Sequence, residues 1–255
     1  MQRYFIEQTK QEITALPAVI IKGEDVHHIV NVMRMSSGDH VMCCAKDGHE
    51  AECRIESLSK EEVVLSVVDW TGKNRELPIR VHIANGLPKG DKLEWIIQKG
   101  TELGASSFFP FEASRSVVKL DHKKAKKKRE RWLKIAKEAA EQSHRNKIPE
   151  VGGVLTFKGL LESLPSFDKC VVAYEESSKQ GENSQFQSVI KDLPEGSSLL
   201  MVFGPEGGFS ESEIEALKEK GALACGLGPR ILRAETAPLY ALAAVSYHTE
   251  LLRGE

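Results

Sequence analysis

The sequence predicts an α/β protein in two parts, a small β-rich domain over residues 1–72 and a larger domain built on a parallel sheet over residues 73–255. Three observations carry that expectation. Short β-rich runs separated by tight-turn residues fill the first part of the chain. A polar stretch ending in proline, TGKNRELP at 71–78, then interrupts them. From residue 78 onward, continuous apolar runs alternate with helical periodicity, the pattern of a parallel sheet covered on both faces.

In the first part, EDVHHIVNVMRM (24–35) places Val26, Ile29, Val30 and Met33 at helical spacing. VMCCA (41–45), EAECRIE (50–56) and VVLSVV (63–68) read as strands. SSGD (36–39), KDGH (46–49) and SKEE (59–62) read as the turns between them, with Asp-Gly favouring a tight hairpin. One helix with several short strands suggests a compact barrel. His27 and His28 precede an apolar helix face and lack a third ligand at matching spacing, so they read as structural and no metal site is expected.

In the second part, IRVHIA (79–84) reads as a buried strand, followed by a helix near 90–103 with Leu93, Ile96, Ile97 and Leu103 on one face. SFFPF (107–111) is a second strand, and ERWLKIAKEAAEQSHR (130–145) is a helix with Trp132, Ile135, Ala136, Ala139 and Ala140 on one stripe. CVVAYEE (170–176), LLMVF (199–203) and ALACGLG (222–228) are further strands, with helices at 210–220 and 235–252. LYALAAV (239–245) is apolar on every side and must be covered on every side, either as a central core helix or by packing partly on a second subunit. KKAKKKRER (123–131) reads either as a solvated helix face or loop, or as a phosphate-contacting patch. Residues 176–197 match no pattern.

Composition excludes several classes. Hydrophobic residues at 41% and charged residues at 28% suit a globular chain, not a disordered or fibrous one. A net charge of −2 excludes a basic coat over the whole protein but not a local basic patch. The five cysteines, Cys43, Cys44, Cys53, Cys170 and Cys225, form no CxxC pair, which argues against a disulfide framework or cysteine zinc site and for a reducing compartment. MQRYFIEQTK offers no stretch suited to a signal peptide, and no run approaches the ~20 apolar residues that span a bilayer, so cytoplasm is the expected location.

Two segments carry chemistry. In VFGPEGGFSESE (202–213) a buried strand ends at Phe203 and a helix starts after Ser210, with Ser210 and Glu213 forming a capping box. Between them, Gly-Pro-Glu-Gly-Gly lets the backbone approach a ligand at the carboxyl end of a strand. It is neither a P-loop nor a GxGxxG dinucleotide turn. In ALACGLGPRILRAETAPLYA (222–241) a second strand runs into Leu227-Gly228-Pro229, then Arg230, Ile231, Leu232, Arg233, Ala234, Glu235 and Thr236. Each segment also has a plain reading: a strand-to-helix turn for the first, a surface turn with an ion pair such as Arg233–Glu235 for the second.

Taken together, GPEGGFSESE (204–213) and LGPRILRAETA (227–237) resemble the RsmE family of 16S ribosomal RNA uracil-N3 methyltransferases, of the SPOUT class. KGDKLEWIIQKGTELG (89–104) leading to Arg115-Ser116, EQSHRN (141–146) followed by Pro149, and RYFI (3–6) with HHIVNVMRMSSGD (27–39) are similar to the same family. The resemblance spans nearly the whole chain. It implies a C-terminal SPOUT-type parallel sheet tied in a trefoil knot, and a small N-terminal PUA-like RNA-binding β-barrel. It implies S-adenosylmethionine as cofactor, a homodimer with the active site formed between subunits, and 16S rRNA in the small ribosomal subunit as partner. Phe203, Gly204, Pro205, Glu206, Gly207 and Gly208, with Leu227, Gly228, Ile231, Leu232 and Arg233, would surround the cofactor.

Methyl transfer is an in-line displacement, so the protein's task is mainly positioning. A uracil N3 must also lose its proton, which calls for a cation to stabilise the anion or a carboxylate to accept the proton. Arg233 is the candidate for the first role and Glu206 for the second. Arg233 reads alternatively as a phosphate clamp, and Glu206 as charge balance near a helix N-terminus. Arg3, Arg34, Arg115 and Arg145 are the RNA-binding candidates, because a planar guanidinium suits phosphate. Rival readings are a SPOUT enzyme acting on transfer RNA or a ribose hydroxyl, a non-catalytic ribosome-assembly protein that would not bind S-adenosylmethionine, and a phosphate-binding transferase, which the absent Walker lysine weakens.

Overall fold

The computed structural model describes residues 1–16, 18–174 and 185–252, so Glu175 and Glu176 of the expected strand lie outside the described residues. The chain divides into two compact units, Met1–Glu76 with Ala140–Ile148, and Leu77–Ala139 with Pro149–Glu255.

The first unit contains β1 (Arg3–Phe5), α1 (Lys10–Thr14), β2 (Val19–Lys22), α2 (Glu24–His27), β3 (His40–Cys44), β4 (Glu50–Leu58) and β5 (Glu62–Thr71). Its strands pair in the order β1-β3-β4-β5-β2, a curled sheet that forms half of a barrel. Two register shifts between β4 and β5, at Glu52/Cys53 and Ile55/Ser57, help to bend it. Alternation puts Val41, Cys43, Cys53, Ile55, Val63 and Leu65 on the inner face, all fully buried. Strands β1 and β2 escape sequence reading because three and four residues are too short to show a period.

The helical spacing of 24–35 produces less helix than expected. After α2 the chain widens into a π-turn over His28–Val32, closed by the Met33 amide donating to the His28 carbonyl (2.8 Å). Val26 and Ile29 stay buried, but the extra residue in the turn swings Met33 out to solvent. His28 shares a hydrogen bond with the Tyr4 hydroxyl (3.0 Å).

This unit also absorbs two of the arginines expected to face RNA. Arg3 is 5% exposed and pairs with Glu50 (2.7 Å), which also takes Arg75 (2.6 Å) and the Thr71 hydroxyl (2.9 Å). Arg145, also buried, pairs with Glu76 through its guanidinium, and its carbonyl accepts from Arg3 (3.2 Å). Asn146 donates to the Lys73 carbonyl (3.0 Å) and accepts from the Arg75 amide (2.9 Å). These bonds explain why 140–148 belongs to the first unit although it follows a long helix of the second. Arg34 is exposed, in left-handed backbone at φ 52°.

The second unit contains β6 (Arg80–Gly86), α3 (Lys92–Glu102), β7 (Ser107–Glu112), α4 (His122–Gln142, whose last turn passes into the first unit), β8 (Glu150–Val151), β9 (Leu155–Thr156), α5 (Phe157–Ser163), β10 (Lys169–Ala173), α6 (Gln185–Asp192), β11 (Ser198–Phe203), α7 (Glu211–Glu219), β12 (Leu223–Cys225) and α8 (Thr236–Ser246). Every described pairing is parallel, in the order β12-β10-β11-β6-β7-β8, with β9 alongside β7. Central β11 is buried at all six positions, as a strand covered on both faces should be. The helix expected from residue 130 begins at 122, so the lysine run is helical. From β6 the sheet runs out one way to β7 and the other way to β11, β10 and β12. Such a reversal opens a crevice at the carboxyl ends of the strands.

Candidate active site

Two returns meet at that carboxyl edge. The first leaves β11 at Phe203, 3% exposed, and turns through Gly204 to Gly208, closed by the Gly208 amide on the Pro205 carbonyl (2.8 Å). Gly207 is glycine because of its neighbour: a Cβ there would lie 2.9 Å from the Cβ of Arg115, whose guanidinium donates to the Gly207 carbonyl (3.1 Å). Ser210 then caps α7 with Glu213 as the reciprocal partner, the expected box.

Glu213 does more than close the box. Its carboxylate also accepts from the Ser114 amide and hydroxyl, both at 2.8 Å, and so ties the segment after β7 to the 204–210 return. Arg115 is the next residue, so this latch sets where its guanidinium stands. Burial works against the Glu213 charge, but the Ser114 and Ser210 donors prevail and hold its carboxyl below the usual carboxylate range.

The second return leaves β12 at Cys225 and runs through 227–233. Gly228 has φ +93°, a conformation costly to any residue with a Cβ. The Arg233 carbonyl starts α8 by accepting from the Thr236 and Ala237 amides (2.9 and 3.0 Å).

Between the returns lies an open cleft of about 970 Å³. Phe203, Gly204 to Gly208 and Leu227 to Arg233 all line it, with Tyr174, Lys92 and Arg115 at its walls. Eleven residues from two distant segments, proposed from sequence as one site, therefore share one cavity. Leu227 and Leu232 are half-buried, whereas Ile231 is 77% exposed and stands at the rim.

The charges divide into paired and free. Lys92, at the start of α3, bonds Glu206 (2.9 Å) and Glu235 (3.2 Å), so Glu235 pairs across the cleft wall and not with Arg233. Glu206 also accepts from the Lys89 amide (3.1 Å). Burial opposes its charge, yet Lys92 and the surrounding amides hold its carboxyl below the ordinary value. A carboxylate so held is a weak base, which counts against Glu206 as proton acceptor. Lys92 in turn is held protonated, chiefly by Glu206 against its own desolvation. The Arg233 side chain is exposed and makes no ion pair or hydrogen bond among the described residues. Lys92 falls within the stretch 89–104, but the sequence carries no signal of its role, because its partners lie more than a hundred residues away.

The RNA methyltransferase domain model matches residues 75–246, and the RNA methyltransferase PUA domain model matches residues 21–68. The ribosomal RNA small subunit methyltransferase E of Bacillus subtilis is 68% identical over 255 residues, covering all of both chains. The chain belongs to the ribosomal RNA small subunit methyltransferase E family. A solved structure described only as a hypothetical protein is 64% identical with a TM-score of 0.93, covering 99% of this chain and 100% of that one. The small subunit methyltransferase E of Neisseria gonorrhoeae, solved bound to S-adenosyl methionine, is 26% identical with a TM-score of 0.82, over 97% of this chain and 98% of that one. The methyltransferase model covers the whole cleft, and the PUA model covers much of the curled sheet. Among the described residues, no helix of this methyltransferase is long and apolar enough to cross a membrane.

Proposed function

We propose that this enzyme methylates N3 of one uridine in 16S ribosomal RNA of the small subunit, with S-adenosylmethionine held between the two returns, in the cytoplasm. One observation carries the reading: the glycine returns 204–208 and 227–233 enclose one cleft whose walls leave room at both turns. A Cβ added at Gly208 would meet nothing within 4 Å, and one at Gly228 only the Tyr240 hydroxyl at 3.9 Å. The cleft volume lies within the roughly 300–1,000 Å³ of small-molecule sites. Its backbone-rich turns suit an adenine edge, and Phe203, Leu227 and Leu232 suit its faces.

When bound, S-adenosylmethionine supplies a methyl group on a sulfonium, a leaving group that needs no protonation. The chain's own work is then positional and electrostatic. Arg115 and Glu213 fix the 204–208 return, and Lys92 ties Glu206 of that return to Glu235, which follows the second return. Arg233 stabilises the anionic base formed when uracil N3 gives up its proton to solvent water reaching the open cleft. Glu206 acts as Lys92's partner, not as the base.

A homodimer and a trefoil-threaded chain belong to the same reading. On α8 and the turn that continues it, Tyr240, Tyr247 and Leu251 recur at helical spacing and are 43%, 55% and 67% exposed. Trp95 on α3 is 59% exposed. An apolar stripe of this kind calls for a partner, and a second copy supplies one. The strand order supports the threading, since it sets β10 and β12 beyond β11 and brings the 227–233 return beside 204–208.

The test is incubation with methyl-labelled cofactor and small ribosomal subunits from cells lacking the gene. Label on a single uridine at N3 is expected. Label on transfer RNA or a ribose hydroxyl, or no transfer, overturns the reading.

A further inference from the structure

The first half of α4 carries a charge distribution that the methyl-transfer cleft does not use. Residues 122–131 hold five lysines, two arginines and one glutamate, a local charge of +6 in a chain whose total is −2. The helix buries Trp132, Ala136, Ala139 and Ala140 on one side. At about 100° per residue the lysines fan over the opposite side, roughly 200° wide. Both arginines are already engaged: Arg129 donates to the Val151 carbonyl (2.9 Å), and Arg131 pairs with Glu94 (2.6 Å). Lys124 pairs with Asp121 (3.3 Å). Lys123, Lys126, Lys127 and Lys128 have no ion pair among the described residues, and Glu130 is the one acid within the run.

Helix stability does not favour this arrangement. Cations in the first turns face the positive end of the helix dipole, and the i,i+4 pairs Lys123–Lys127 and Lys124–Lys128 repel. The face also offers no apolar anchor, and lysine is depleted in protein–protein interfaces, so a protein partner has little to grip. A polyphosphate backbone gains most from such a surface, because each neutralised phosphate releases a counterion. We infer that the free lysine face of α4 is a phosphate-docking surface for the ribosomal RNA substrate, separate from the methyl-transfer cleft. The inference rests on the reading that ribosomal RNA is the substrate.

The test replaces four side chains together, Lys123→Gln, Lys126→Gln, Lys127→Gln and Lys128→Gln. A matched control replaces four exposed lysines elsewhere, Lys22, Lys158, Lys218 and Lys220, by Gln. Binding to small ribosomal subunits is measured across salt concentrations, S-adenosylmethionine binding by calorimetry, and Tm by scanning. The α4 variant is expected to bind subunits at least ~10-fold more weakly, and the slope of log K against log salt should shrink by about 3, near 0.7–0.9 per phosphate contact. Its cofactor affinity should be unchanged and its Tm equal or higher. Subunit affinity and salt slope matching the control set would overturn the inference. Wild-type protein that binds cofactor but no subunits would instead sink the ribosomal RNA reading, and this inference with it.

Discussion

Two clusters of arginine, lysine and glutamate make this protein, and they are built in opposite ways. In the first unit, Arg3, Glu50, Arg75, Arg145 and Glu76 close on one another, and Arg3 and Glu50 are almost wholly buried. In the cleft, Lys92, Glu206 and Glu235 form a half-exposed wall, and the Arg233 side chain makes no ion pair or hydrogen bond among the described residues. The first cluster spends its charge on holding a chain return in place. The second keeps one cation available beside a cavity. Basic and acidic side chains thus hold structure in one place and, in the proposed mechanism, leave a cation for chemistry in the other, and the difference lies in whether an open space adjoins them.

The largest effect that could break this contrast is in the first unit. Arg3→Ala leaves Glu50 buried with one partner fewer, and removing one side of a buried pair costs about 3–5 kcal/mol. Urea unfolding should show that loss, while Arg34→Ala, at an exposed site, should lie within about 0.5 kcal/mol of wild type. Equal small effects would erase the distinction between the clusters.

Next comes the cleft. Arg233→Ala should lower kcat by roughly 10²–10³-fold, the usual loss for one donor at a developing oxyanion, with Tm unchanged. Loss of subunit binding with kcat intact would move Arg233 to a phosphate clamp.

A smaller effect sharpens the account of how the cleft is held. Glu213→Gln weakens bonds to Ser114 and Ser210, and a hydrogen bond to a charged group is worth about 1.5–3 kcal/mol. KM for S-adenosylmethionine should rise several-fold, more than kcat falls. Because the folded carboxyl titrates below its unfolded value, this contribution is present at neutral pH and disappears as pH falls through the folded pKa. The Gln variant should therefore be less sensitive to acid than wild type over that range.

The last expected effect, negligible at neutral pH and confined to acid, lies at His82, inside the sheet on β6. Burial, aided by Arg80, pushes its pKa down to about 4, and it shares a hydrogen bond with Ser107 (2.7 Å). The unfolded chain binds the proton more readily between pH 6.5 and about 4, so stability should decline across that window. His82→Gln should flatten the decline in a pH series of unfolding midpoints, and an unchanged slope would assign it to other groups.

Much of this was legible in sequence, and the gaps have physical reasons. Continuous apolar runs such as LLMVF identify a strand buried on both sides, and Ser210 with Glu213 marks the start of α7 from local chemistry alone. The two glycine returns were legible as motifs. What stayed hidden depends on distant partners: Arg3 reads like a surface arginine until Glu50 and the Arg145 carbonyl are placed around it. Lys92 and Ser114 read as ordinary polar residues until Glu206 and Glu213 reach them. The π-turn at His28–Val32 defeated periodicity because one added residue moves Met33 off the buried face.

The central claim is that 204–208 and 227–233 form one cofactor site, and calorimetric titration of S-adenosylmethionine into wild type and Gly228→Val tests it most directly. A Val side chain at φ +93° strains the second return and projects into open space beside the cleft lining. Saturable one-site binding to the wild type, lost in a variant whose circular dichroism is unchanged, is the predicted result. No binding to the wild type, or equal binding to a folded variant, would contradict it.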